Sequence, residues 1–229
     1  MFYFDMNYLM CVLLPGLALG LFAQWKVKSA FAKWDRTPNE RGLTGVQTAQ
    51  IIMENTGLEH VSVARVPGDL TDFYDPRDQS MHLSDSSVRN PSVAAMAVVA
   101  HELGHAEQDK VGNAMLRFRA RLAPAASLGS GLGLWIVVLG LMLQLTGLLW
   151  LGIVLFGLAV LFTLVTLPVE LDASRRAKQH LRDLNLVSMQ EEAGVNAVLN
   201  AAALTYVAAA ISSVLTLLYY VGLAGRRRG

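Results

Sequence analysis

Charge is scarce in this 229-residue chain, and cysteine is nearly absent. Asp, Glu, Lys and Arg make up 16% of the residues against 53% hydrophobic, and the mean hydropathy is +0.40. Such a balance excludes a disordered chain, which would be charge-rich and apolar-poor. Lys and Arg total 19 and Asp and Glu 18. No basic excess remains to neutralise phosphates, so a nucleic-acid binder is excluded as well. One cysteine, Cys11, rules out an intrachain disulfide framework and any Cys-only zinc site. It lies in an apolar run and reads as a small membrane-facing residue.

The missing charges are unevenly distributed. Residues 6–25, 122–169 and 193–225 contain no Asp, Glu, Lys or Arg. A membrane-spanning helix needs about 20 mostly apolar residues. The first run fits one span over 6–25. The second is long enough for two, over 124–143 and 147–168, with Gln144-Leu145-Thr146-Gly147 as the turn. The third fits a transmembrane or re-entrant helix over 202–224. The chain begins Met1-Phe2-Tyr3-Phe4-Asp5, with an acid where a signal peptide carries bases, so the first span reads as an uncleaved anchor. Small-residue pairs at Gly16–Gly20 and Gly129–Gly133 suit helix packing in lipid. The runs hold no ionisable groups, which argues against a transporter.

Loop charges set orientation. Lys26, Lys28, Lys33 and Arg36 follow the first span, Arg117, Arg119 and Arg121 precede the second, and Arg175, Arg176 and Lys178 follow the third. All fall on one side, which should be cytoplasmic. Arg226-Arg227-Arg228 then breaks the rule if the last segment crosses.

Residues 26–121 form the main polar segment, a mixed α and β domain, and 169–200 form a helical segment. Thr44 can cap a helix running to about Asn55, with Gly57 as its stop. Val61, Val63 and Val66 suit a short strand. Residues 68–76 read as a loop, and Met81-His82-Leu83-Ser84 as an edge strand. Asp69, Asp72, Asp75, Asp78 and Asp85 lack EF-hand spacing and read as a solvated turn region. Asn90-Pro91 suits the start of a helix, Asn as cap and Pro in the first turn.

That helix carries His101-Glu102-Leu103-Gly104-His105, an HExxH motif. Residues i and i+4 share one helix face, so both imidazoles can reach one zinc ion. Glu102 points elsewhere on the helix but can take a proton from a water beside the ion and pass it to the leaving amine. The apolar stretch before His101 is too short to span, which disfavours a motif buried in the bilayer.

A catalytic zinc needs a third protein ligand. Glu170 directly follows the third span, and the hairpin of spans two and three returns it to the side of His101 and His105, so it is the leading candidate. Pro168 suits a helix start there, which would leave Glu170 an N-terminal charge instead. His60, His82 and His180 compete, each reading as an ordinary polar residue. Asp172 is the better candidate to orient a ligating imidazole, and Ser174, one turn after Glu170, the other. Tyr206 and Arg175 carry a hydroxyl and a cation able to stabilise an oxyanion, although spacing singles out neither.

These segments resemble the YugP-type neutral zinc metallopeptidases, a family of bacterial membrane proteins. The likeness is carried by residues 42–45, 70–76, 83–84, 92–108, 168–177 and 198–206. The resemblance implies one Zn2+ per chain, held by His101 and His105, with Glu102 as the catalytic base. A more distant similarity to integral-membrane gluzincins, whose third ligand is a glutamate after a transmembrane hairpin, supports Glu170. Phe73 departs from the family's Asp-His-Tyr-Asp-Pro loop, which has histidine there.

The expectation is therefore a mainly α membrane protein: about four transmembrane helices with a small α+β, zincin-like metallopeptidase domain on the cytoplasmic side of a bacterial membrane. It would be an endopeptidase acting on proteins or peptides, membrane proteins included, with an edge strand pairing to the substrate. The contrasting reading is a zinc-stabilised membrane scaffold, for which Glu102 would have no use.

Overall fold

The computed structural model describes residues 6–226. The acidic start at residues 1–5, and Arg227 and Arg228 of the basic run, lie outside the described residues. In chain order the elements are α1 (Met6–Asp35, π-helical at Leu9–Leu13), α2 (Gly45–Thr56), β1 (Ser62–Arg65), β2 (Phe73–Asp75), β3 (Ser80–Leu83), α3 (Asp85–Arg89), α4 (Val93–Lys110), α5 (Ala114–Met142), α6 (Thr146–Asp183) and α7 (Met189–Arg226). The protein is a mainly α membrane protein with a small α+β part. Four helices, α1, α5, α6 and α7, are long and apolar enough to cross a membrane.

The chain forms two compact units. The first comprises residues 6–23, Met115–Pro168 and 205–226. Its surface displays large apolar side chains: Leu128, Trp135, Val154 and Leu218 are 61–70% exposed. Apolar exposure of that kind fits lipid and not water. Inside, α5 and α6 approach backbone to backbone. A Cβ at Gly133 would stand 2.7 Å from Phe156 N, and one at Gly152 2.5 Å from Val137 N. Without a hydrophobic drive between helices in lipid, such close contact is the main source of association. Gln144 takes a left-handed φ of 57° in the turn between these helices, where an Asn-like side chain is better tolerated than a branched one.

The second unit comprises Gln24–Ala114 and Val169–Leu204. Its core gathers Ile52, Leu58, Met81, Leu83, Met96, Leu103, Leu181 and Leu199. Thr44 caps α2 through a capping box with Gln47, and Gly57 ends it at φ +65°. Both satisfy backbone groups that the helix ends leave orphaned. The three-stranded sheet has the order β1-β3-β2, parallel on the β1 side and antiparallel on the β2 side.

Three expectations need correction. The strand at 80–83 is central, not an edge, because a second neighbour beside β1, the three-residue β2, arises inside the loop 68–76. The cap of α4 is Ser92, whose Oγ accepts from Ala95 N; Asn90 instead ends the short helix α3. Asp35, at the end of α1, accepts from both Asn90 Nδ2 and Ser92 Oγ and so fixes where α4 begins. Pro168 does not start a helix but lies inside α6. It removes one backbone donor, a loss tolerated where the helix is held by its neighbours.

Helix α4 is buried nearly all round, and at Gly104 it meets α6: a Cβ there would stand 2.6 Å from Ala173 O. Backbone cannot yield as a flexible side chain can. Gly104→Ala is expected to push α4 and α6 apart, cost about 1–3 kcal/mol and lower the melting temperature measured in detergent. An unchanged melting temperature would contradict that contact.

Candidate metal centre

Helical spacing sets His101 and His105 on one face of α4, with ring centroids 4.9 Å apart and planes at 82°. Glu170, only 2% exposed on α6, reaches both. Its Oε2 lies 3.2 Å from His101 Nε2 and 3.5 Å from His105 Nε2. Among the described residues, this trio is the one group of three His, Cys, Asp or Glu side chains close enough to hold a metal, with donor atoms within 4.8 Å of one another. Tetrahedral zinc with bonds of ~2.0–2.1 Å needs ligand atoms about 3.3 Å apart. The donor set and its spacing therefore fit zinc.

The outer ring nitrogens are both engaged. His101 Nδ1 lies 3.2 Å from Ser174 Oγ, and His105 Nδ1 lies 3.0 Å from Gln108 Oε1. In the tautomer with Nδ1–H donating, both Nε2 lone pairs would be available to a metal ion shared with Glu170. Gln108 is fully buried, and its Nε2 donates to Val169 O and Asp172 Oδ2, each at 2.9 Å. One amide thus aligns an imidazole on α4 and grips the residue preceding Glu170 on α6. Asp172 reaches His105 only through Gln108, and also accepts from Arg175 and from Arg176 Nε at 2.9 Å. Glu107 adds further α4–α6 links, to Arg176 at 2.9 Å and to His180 Nε2 at 2.8 Å.

The electrostatics follow from burial. Burial pushes the Glu102 carboxyl above the usual carboxylate range, against the pull of His101 and His105. Burial alone would lower His105, but the bond to Glu170 and the charges of Glu102 and Glu170 outweigh it and hold the imidazole above its ordinary value.

The competing histidines stand outside the trio. His82 is bonded to Ser80 Oγ at 2.8 Å and stacked on Phe73, ring centroids 4.4 Å apart. His180 is tied to Glu107 and His60 is exposed. Arg175 is solvent-exposed and held by Asp172. Tyr206 belongs to the other unit, half-buried on α7. The loop acids serve the fold: Asp72 accepts from Ser84 N and Oγ, Asp75 from Arg77, Asp78 from Ser80. Gln108 escapes the sequence reading, although it falls three residues after His105 on the same helical stripe and so carried a positional signal.

Comparison with known proteins agrees in kind. The sequence profile of the family described as "Putative neutral zinc metallopeptidase" matches residues 9–225. The chain is 42% identical over 208 residues to the "Putative membrane protease YugP" of Bacillus subtilis (strain 168), covering 91% of this chain and 92% of that one. No solved structure matches. A match over nearly the full length, on a chain whose buried histidines and glutamate already converge, makes this protein a member of that neutral zinc metallopeptidase family.

Proposed function

We propose that the protein is a membrane-anchored zinc endopeptidase of the gluzincin kind, in which His101, His105 and Glu170 hold one zinc ion and Glu102 is the general base. The convergence of two imidazole nitrogens and one buried carboxylate, beside a second buried carboxylate on the same helix, carries this reading. Zinc bound there would acidify a water molecule and polarise the scissile carbonyl. Glu102, shielded from bulk solvent by burial, would take a proton from the attacking water and pass it to the leaving nitrogen. Ser174 and Gln108 hold the two imidazoles in the tautomer that the metal requires. A structural zinc is closed by four protein ligands, whereas three ligands leave a position for chemistry.

The substrate is a protein or peptide presented at the membrane surface on the cytoplasmic side. The charge-free run of α6 ends at Val169, directly before Glu170, and the basic residues flanking the spans favour the cytoplasm. Of the two sheet edges, that of β2 belongs to the strand that packs on α4. An extended substrate adds there by main-chain hydrogen bonds.

Zinc analysis of the detergent-purified protein, paired with cleavage of quenched peptides, tests the proposal. About one zinc per chain is expected, with cleavage abolished by a chelator and restored by zinc. A zinc-loaded protein that cleaves nothing favours the scaffold, and a protein that takes up no zinc excludes both readings. Gln108→Leu strands His105 Nδ1–H and the Val169 carbonyl. It is expected to weaken zinc about 10–100-fold, read by competition against a chelator of known affinity.

A further inference from the structure

Within the unit that carries the metal centre, α6 and α7 border an open groove of about 530 Å3. Leu171, Ser174, Arg175 and Lys178 line it from α6, Asn200 and Ala203 from α7. Its cations are unequal. Arg175 is neutralised by Asp172, and Arg182, at the end of the lining beside Asp183, is paired with Glu192. Lys178 forms no ion pair with a carboxylate among the described residues. Its Nζ donates to Asn200 Oδ1 at 2.9 Å. An ammonium has three donors, so two remain for a ligand. Half-burying a cation without a counter-charge is unfavourable, and an anion seated beside it removes that cost.

Ser174 connects this groove to the chemistry. It lines the groove and touches the outer nitrogen of His101. Lys178 stands one helical turn farther along, about 6 Å. An extended chain passing the metal centre advances about 3.4 Å per residue. A chain running along α6 from the metal centre would therefore bring a residue a few positions from the scissile bond toward Lys178.

We propose that the groove is a substrate subsite selecting an acidic side chain, with Lys178 as its counter-ion and Asn200 as a second donor. Leu171 and Ala203 offer apolar contact to side-chain methylenes, which favours glutamate over aspartate. The inference rests on the peptidase reading above. A lipid headgroup is the competing occupant, but Ser174 joins the groove to the imidazole of the metal centre.

The test uses the full-length zinc-loaded protein in nanodiscs of neutral phosphatidylcholine. Quenched decapeptides carry one glutamate walked through a glutamine-containing frame. Wild type is expected to favour glutamate at one position by about tenfold in kcat/KM. Lys178→Gln removes the preference, and Lys178→Glu transfers it to lysine at that position. A glutamate preference that survives Lys178→Glu, or none at any position, overturns the proposal. Binding of the same peptides to the Glu102→Gln protein, by fluorescence anisotropy, separates this from failure of the peptidase reading. Glutamate-selective binding lost in Glu102→Gln/Lys178→Glu supports the subsite even if wild type cleaves nothing. If Lys178→Glu alters only binding to phosphatidylglycerol-containing nanodiscs, the occupant is lipid and the substrate subsite is excluded.

Discussion

Glu102→Gln is expected to lower kcat/KM by about 10²–10⁴-fold, the usual contribution of a positioned general base, while zinc content stays at the wild-type level. Glutamine keeps the shape of the side chain but cannot act as a carboxylate base. Neither ring nitrogen of His101 or His105 has Glu102 as a partner, so the metal ligands keep their alignment. Elemental analysis beside single-turnover cleavage separates the two effects. Loss of zinc together with activity would mean that Glu102 supports the metal site and is not the base.

The same residue sets the acid limb of the pH profile. Burial raises its pKa above the ordinary carboxylate value. Below that pKa the carboxyl already holds a proton and cannot take another, so kcat/KM should climb with pH through a limb displaced above the usual carboxylate range. In Glu102→Gln the residual rate should lack that limb. A limb that persists unchanged in Glu102→Gln would remove Glu102 from the role.

Much of the domain's local structure was legible because its signals are local. Thr44 and Gln47, three apart, form a capping box whatever packs around them, and Gly57 is needed for a left-handed stop. The charge-free runs announce α1, α5, α6 and α7 by the same logic of length and composition. The HExxH spacing places His101 and His105 on one face before any tertiary contact is known. What escaped depends on partners distant in sequence. β2 is three residues in a loop with Pro76 at its edge, and it becomes a strand only by pairing with β3, which in turn is made central by β1. Ser92 caps α4 while donating its hydroxyl to Asp35, 57 residues earlier, and Asn90 closes α3 instead. Asp172 and Ser174 both follow Glu170 closely, but their distances from it along the helix decide which touches an imidazole: Ser174 stands one turn on and meets His101, whereas Asp172 needs Gln108 to relay. Polar networks buried between two helices are readable only once the helices are docked.

Glu170→Ala is expected to empty the site. The carboxylate lies 3.2 Å and 3.5 Å from the two Nε2 atoms and is 2% exposed, and it completes the one group of three candidate donors among the described residues. Two imidazoles would remain. Losing a direct ligand should weaken zinc by more than the ~10–100-fold that follows from losing an orienting partner, so the purified variant should carry little zinc and show no zinc-dependent cleavage. Gln108→Leu provides the graded comparison, since it keeps all three donors and loses only their alignment. If Glu170→Ala retains about one zinc per chain, the carboxylate is not an essential ligand and another donor must close the site. His82 is then the histidine to test next, although it would have to leave both its stack on Phe73 and its bond to Ser80. That rearrangement would register as a loss of zinc in Glu170→Ala/His82→Ala with no loss in His82→Ala alone.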